Sequence, residues 1–232
     1  MFWYYLDFLD TSFLLFVSFA GAVTLALILG IAFHEFCHAL SASILGDQTA
    51  ARLGRLTLNP LAHLDPLGSF LLLFLGFGWG KPTPVNPNNL RNGRTGMAMV
   101  AAAGPISNLL VATLLAAPIR LGWVPWHNPF SVINSTAGWA SEDYIGLFLA
   151  AGVLINCILA VFNLLPLAPL DGFRVWVGVL PIELARPIAQ MERFGIVILM
   201  GLFFLGPAIG LNFFGAVVEP IVSAIARGLT GV

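Results

Sequence analysis

Read for hydrophobic and polar positions, the chain divides into long apolar runs separated by short polar ones. The first run extends from about Thr11 to Leu45 and closes at Gly46-Asp47, a helix-ending pair. At about 1.5 Å per residue it outreaches the roughly 30 Å of bilayer hydrocarbon, so tilt, a break near Gly30 or protrusion is expected. Residues 46–63 are more polar and carry Arg52 and Arg55. The apolar stretch LGSFLLLFLGFGWG (67–80) holds four glycines and is too short for a comfortable span. KPTPVNPNNLRNGR follows, rich in proline and asparagine, and reads as extended chain or loop. Three more spans are predicted at about 97–119, 143–165 and 194–218, the last broken around Gly206-Pro207.

Basic residues orient these elements. Arg52, Arg55, Lys81, Arg91 and Arg94 flank the 67–80 stretch on both sides, which places both flanks in the cytoplasm and makes the stretch re-entrant or a β-hairpin. Arg174, Arg186 and Arg193 mark the cytoplasm again, whereas the 121–142 loop and the aromatic, acidic N-terminus MFWYYLDFLD fall outside. That N-terminus lacks the basic start of a cleavable signal and is expected at the membrane interface. The fold class predicted is an all-α polytopic membrane protein, a bundle of about 4–6 transmembrane helices with one short re-entrant or β-hairpin element.

Composition agrees. Of 232 residues 59% are hydrophobic and 9% charged, well below the roughly 25% charged of a soluble domain. A net charge of −1 argues against a nucleic-acid partner. One membrane-embedded domain, residues 1–232, is expected, with a core at about 30–178 and C-terminal helices at 190–232. Cys37 and Cys157 both lie in apolar segments and read as buried thiols.

Two histidines and a glutamate stand within HEFCH (34–38), inside the first apolar run, where a charge costs about 2.5–3.5 kcal/mol. Four residues apart on a helix, His34 and His38 point the same way and can share one zinc. Glu35 is close enough to act on a water at the metal without coordinating it, the pattern of helix-borne metalloprotease sites. Zinc needs a third protein ligand. Two stretches offer one: NPLAHLDP with His63 and Asp65, and NLLPLAPLDG (163–172) with Asp171. The second is favoured chemically, because Pro166 and Pro169 free backbone groups and Asn163 enters the same bent segment as a candidate oxyanion donor.

HEFCH followed by NLLPLAPLDG resembles the paired motifs of site-2 proteases, the intramembrane zinc metalloproteases. LNPLAHLDPLGS, GWGKPTPVNP and AAAGPISNLL are similar to stretches in the shorter prokaryotic members, so the likeness covers about residues 30–178. The resemblance implies one zinc per chain held by His34, His38 and Asp171, with Glu35 as catalytic acid/base and Asn163 stabilising the tetrahedral intermediate. Cys37 and Phe173 depart from the family pattern at non-ligand positions. No PDZ or CBS domain is evident, so accessory regulation in cis is expected to be absent. His63 is a candidate for the second shell or a substrate contact, and Asn108, in the small-residue run Ala101–Asn108, for a place near the site. His127 and the acids Glu142, Asp143, Glu183 and Glu192 read as loop or span-end residues.

The reading is an endopeptidase cutting in or near transmembrane segments of other membrane proteins, an anti-sigma factor being one substrate type the resemblance implies. It would work on the cytoplasmic side of a prokaryotic cell membrane, in regulated intramembrane proteolysis. A small transporter or metal channel, or an inactive scaffold relative, is the alternative.

Overall fold

The computed structural model describes residues 13–75, 78–130, 136 and 138–232, so the N-terminal stretch read as interfacial lies outside the described residues. Nine α-helices are described: α1 (Phe13–Ile44), α2 (Thr49–Arg52), α3 (Pro66–Leu75), α4 (Gly93–Arg120), α5 (Ser141–Asn163), α6 (Asp171–Val179), α7 (Ile182–Gln190), α8 (Gly195–Met200) and α9 (Glu219–Thr230). No strand forms among the described residues. Four runs are long and apolar enough to cross a bilayer: Phe16–Ile44, Gly93–Arg120, Ser141–Asn163 and Ile182–Leu205. The chain is therefore an all-α, multi-pass membrane protein.

α1 runs unbroken through Gly30 for 32 residues, about 48 Å at 1.5 Å per residue. The break considered at Gly30 is absent, because the glycine serves packing instead: a β-carbon there would lie 2.9 Å from Leu159 Cδ1 of α5. Phe19 and Val23 of α1 are buried with Leu147 and Ile155 of α5, which locks these two helices along the half of α1 remote from the histidines. α4 packs against α1, α5 and α6. Its contact with α6 is close, since a β-carbon on Gly178 would come within 2.3 Å of Ala98 Cβ. Small residues let the backbones approach here, as is usual between membrane helices.

Of the stretch expected to be re-entrant or a β-hairpin, Pro66–Leu75 is the ten-residue helix α3, and no hairpin forms among the described residues. Its flanks meet. Leu64 and Gly80 form an antiparallel bridge, Lys81 N–H donates to His63 O at 2.7 Å, and Arg55 donates to the carbonyls of Ala62 and Lys81. The two ends of the stretch are thus clipped together.

The last predicted span is displaced. Helix begins at Ile182, after Pro181, and passes through Met191–Phe194 and α8 into a π-helical turn, Gly201–Leu205. The chain then reverses at 206–212, with Gly210 in the left-handed region at φ +80°, before Phe214–Val218 leads into α9. The break thus falls where Gly206-Pro207 indicated, and it separates two helices. Glu183, Arg186, Glu192 and Arg193 hid the earlier start, because charged residues at a span end read as loop.

Candidate active site

His34 and His38 stand one turn apart on α1, about 15 Å and about 9 Å of helix rise short of its end at Ile44. Asp171 reaches them because the chain doubles back after α5. Pro166 and Pro169 prevent helix from continuing, while Leu167 N–H donates to Leu165 O at 2.8 Å and Leu170 N–H to Leu167 O at 2.9 Å. Gly172 then passes under the chain it has left. A β-carbon there would sit 2.2 Å from Leu164 O and 2.4 Å from Leu165 O. Any other residue would push the neighbouring carboxylate out of place, which is why the aspartate is followed by glycine.

The three ligand atoms converge. His34 Nε2 and His38 Nε2 are 3.0 Å apart, and Asp171 Oδ2 lies 3.0 Å and 3.1 Å from them. The far side of each ring is committed: His34 Nδ1–H donates to Asn108 Oδ1 at 2.6 Å, and His38 Nδ1–H to Val100 O at 2.7 Å. A neutral imidazole has one N–H, so both Nε2 atoms are left as lone-pair acceptors. Two such lone pairs and a carboxylate at van der Waals distance repel one another unless a cation lies among them. Ligand atoms of a tetrahedral zinc are about 3.3 Å apart, so the donor set fits that ion in kind and nearly in spacing. Among the described residues it is the one group of three or more His, Cys, Asp or Glu side chains close enough to hold a metal.

Gly104 of α4 faces the same point. A β-carbon on it would lie 2.4 Å from His38 Nε2 and 2.6 Å from His34 Nε2. The small-residue run read as helix packing therefore also leaves a cradle open beside the imidazoles.

Glu35 stands outside the ligand group. Its Oε2 accepts Thr83 N–H at 2.8 Å, and Thr83 Oγ1–H donates to the Glu35 carbonyl at 3.1 Å. Glu35, Asn163 and Arg174 line one cavity of about 650 Å³ with the two histidines and Asp171. Asn163 donates one Nδ2 hydrogen to Leu159 O at 2.9 Å.

Other expected residues lie elsewhere. His63 is fully buried with Nε2–H donating to Thr57 O at 2.8 Å, and it does not line this cavity; the second-shell or substrate role considered for it gains no support. Asp65 Oδ1 accepts Gly68 N–H at 2.8 Å, holding the first turn of α3. Phe173 is buried and does not narrow the cavity. His127 pairs with Asp143 at 2.8 Å and stacks on Trp139, in the loop assigned to it.

Two contributors were not singled out from sequence. Thr83, within PTPVNP, gave no signal beyond its loop. Asp47, read only as a helix stop, is fully buried and accepts from Thr49 N–H, Thr49 Oγ1–H, Asn86 N–H and Asn89 Nδ2–H. Burial works against its charge, but the hydrogen bonds from Thr49, Asn89 and Asn86 prevail and hold the carboxyl down at about 2. It staples the end of α1 to the loop that carries Thr83.

A membrane helix bundle that presents H-E-x-x-H on one helix and an aspartate from another chain reversal defines a class, the membrane metalloproteases. Residues 121–206, which include Asn163 and Asp171 but not α1, match the model of peptidase family M50. "Putative zinc metalloprotease YwhC" of Bacillus subtilis is 35% identical over 187 residues, covering 81% of this chain and 82% of the relative. "Putative zinc metalloprotease Rip2" of Mycolicibacterium smegmatis is 31% identical over 206 residues, 85% of this chain and 73% of the relative; that of Mycobacterium tuberculosis H37Rv is 32% identical over 210 residues, 87% and 74%. No solved structure matches the chain. The chain belongs to peptidase family M50, the site-2 protease family, and is a metalloprotease.

Proposed function

We propose that this protein is an intramembrane zinc endopeptidase, a single domain over residues 1–232, that hydrolyses peptide bonds in or near transmembrane segments of other membrane proteins. The carrying observation is the convergence of His34, His38 and Asp171 on one point of a cavity that Glu35 and Asn163 also line. In this reading His34, His38 and Asp171 hold one zinc ion. Zinc bound there supplies Lewis acidity, acidifying water and polarising a carbonyl.

The remaining steps belong to the chain. Glu35 takes a proton from the attacking water and passes it to the leaving amine. The Thr83 N–H on its Oε2 fixes the carboxylate while Oε1 is kept for the proton. Asn163 Nδ2 carries a second hydrogen beside the one given to Leu159, and it donates that hydrogen to the developing oxyanion. The apolar walls contributed by Ile158, Leu159 and Phe162 exclude bulk water and accept an apolar substrate segment. A transmembrane helix must unwind before attack, and an extended segment can be held along an exposed backbone edge. Residues 78–83 line the cavity except Lys81, and Pro82 and Pro84 bring carbonyls without N–H groups. With the Thr83 N–H taken by Glu35, a substrate would donate and not accept along 82–84.

The basic residues Arg52, Arg55, Lys81, Arg91 and Arg94 flank the same end of α1 as the histidines, which supports a site on the cytoplasmic side of a prokaryotic cell membrane. Regulated intramembrane proteolysis, with an anti-sigma factor as one substrate type, follows from the family resemblance. The test is purified full-length protein in liposomes with a membrane-spanning model peptide, products read by mass spectrometry. Cutting within the span that stops with a chelator and returns with zinc is expected. An intact peptide with zinc-loaded protein overturns the proposal.

A further inference from the structure

Asn156 lies two turns before the end of α5, the most apolar of the four spans, and is 2% exposed. The reaction outlined above does not use it. A buried amide without partners costs about 2–7 kcal/mol, so its partners are informative. Its Nδ2–H donates to Gly152 O at 2.8 Å, and its Oδ1 accepts Asn108 Nδ2–H at 2.8 Å. Asn108, itself fully buried, also donates to Gly30 O at 3.2 Å and accepts His34 Nδ1–H at 2.6 Å.

The direction of this chain is forced from two points. Gly152 and Gly30 present backbone carbonyls, which only accept, so each asparagine must turn its NH₂ toward them. Asn108 is then left with its oxygen toward His34, and the imidazole must carry its proton on Nδ1. Donation runs one way, from His34 to Asn108 to Asn156 to the Gly152 carbonyl, a sense in which each bond polarises the next.

We propose that Asn156 is a positioning residue which, through Asn108, holds His34 in the tautomer whose Nε2 lone pair faces Asp171. The inference rests on the reading of His34 as a metal ligand. The experiment measures zinc affinity of the detergent-purified full chain by chelator competition, with thermal stability of the zinc-free protein in parallel. Loss of an outer partner of a metal-bound histidine typically weakens affinity about 10–100-fold. Asn108→Leu is expected to fall in that range and Asn156→Leu near its lower end, while Asn108→Asp, which keeps an acceptor for His34 but loses the donor to Asn156 and Gly30, is expected to fall between wild type and Asn108→Leu. In the Asn108→Leu background, Asn156→Leu is expected to weaken zinc no further, because its route to His34 is already cut. Should the leucine variant fail to fold, Asn156→Ala is read the same way. Wild-type affinity in Asn156→Leu, or an equal loss in both backgrounds, overturns the relay. A wild type that binds no zinc overturns the ligand reading beneath it.

Discussion

Gly104→Ala is the most economical probe of the site, because it adds one methyl group and no charge. In a helix interior that change ordinarily stabilises by about 0.8–1 kcal/mol. Here the new carbon would lie 2.4 Å from His38 Nε2, 2.6 Å from His34 Nε2 and 2.6 Å from His34 Cε1. Zinc–nitrogen bonds are about 2.0–2.1 Å, so the methyl would stand almost where an ion bonded to both rings must stand. α4 cannot retreat, since α1, α5 and α6 all pack on it. The rings must turn, and their Nδ1 bonds to Asn108 and Val100 are then lost as well. Losing only an outer partner weakens zinc about 10–100-fold, so displacing the ligand atoms themselves should exceed about 100-fold. At about 1.4 kcal/mol per tenfold this is a loss of roughly 3 kcal/mol or more. The assay is zinc per chain by elemental analysis, with chelator competition and thermal unfolding in detergent. Zinc is expected to be lost while the zinc-free protein stays folded. One zinc per chain with wild-type affinity in Gly104→Ala would refute the geometry.

Further outcomes follow from the same structure. Glu35→Gln is expected to keep zinc and lower cleavage at least about a hundredfold, since general acid–base groups contribute about 10²–10⁴-fold; undiminished turnover of the zinc-loaded variant contradicts the assignment. Asp171→Ala should lose stoichiometric zinc, read by elemental analysis, and a variant that still binds one zinc tightly would remove Asp171 from the ligand set. Asp47, with its carboxyl held at about 2, should contribute stability that is full above about pH 4 and fades as pH falls through about 2. Asp47→Asn is expected to unfold at lower temperature near pH 7 and to lose that part of the acid dependence, as checked by melting curves across the pH range.

How much of this was legible in the sequence varied with the physics involved. The pair His34 and His38 was readable because helix periodicity alone puts both rings on one face, and lipid makes their presence improbable without a use. Asp171 could be ranked above Asp65 because two prolines mark the reversal that delivers it, although the role of Gly172 in passing beneath Leu164 appears only in three dimensions. The last span was misplaced by charged residues that a helix end tolerates and a hydropathy reading does not. Thr83, Asp47 and Asn156 act through contacts distant in sequence, 48 residues in the case of Thr83 and Glu35, and no local pattern announces them. His63 stands near a motif, but its ring is bonded within its own loop, which the sequence could not show.

The measurement that bears most directly on the central claim is zinc-edge X-ray absorption of the purified, zinc-loaded full chain. Two imidazole nitrogens at about 2.0–2.1 Å and carboxylate or water oxygen at about 2.0–2.2 Å are expected, with the histidine contribution gone from a His34→Ala, His38→Ala double variant. A sulfur shell at about 2.3 Å, or a spectrum unchanged in that double variant, would contradict the account.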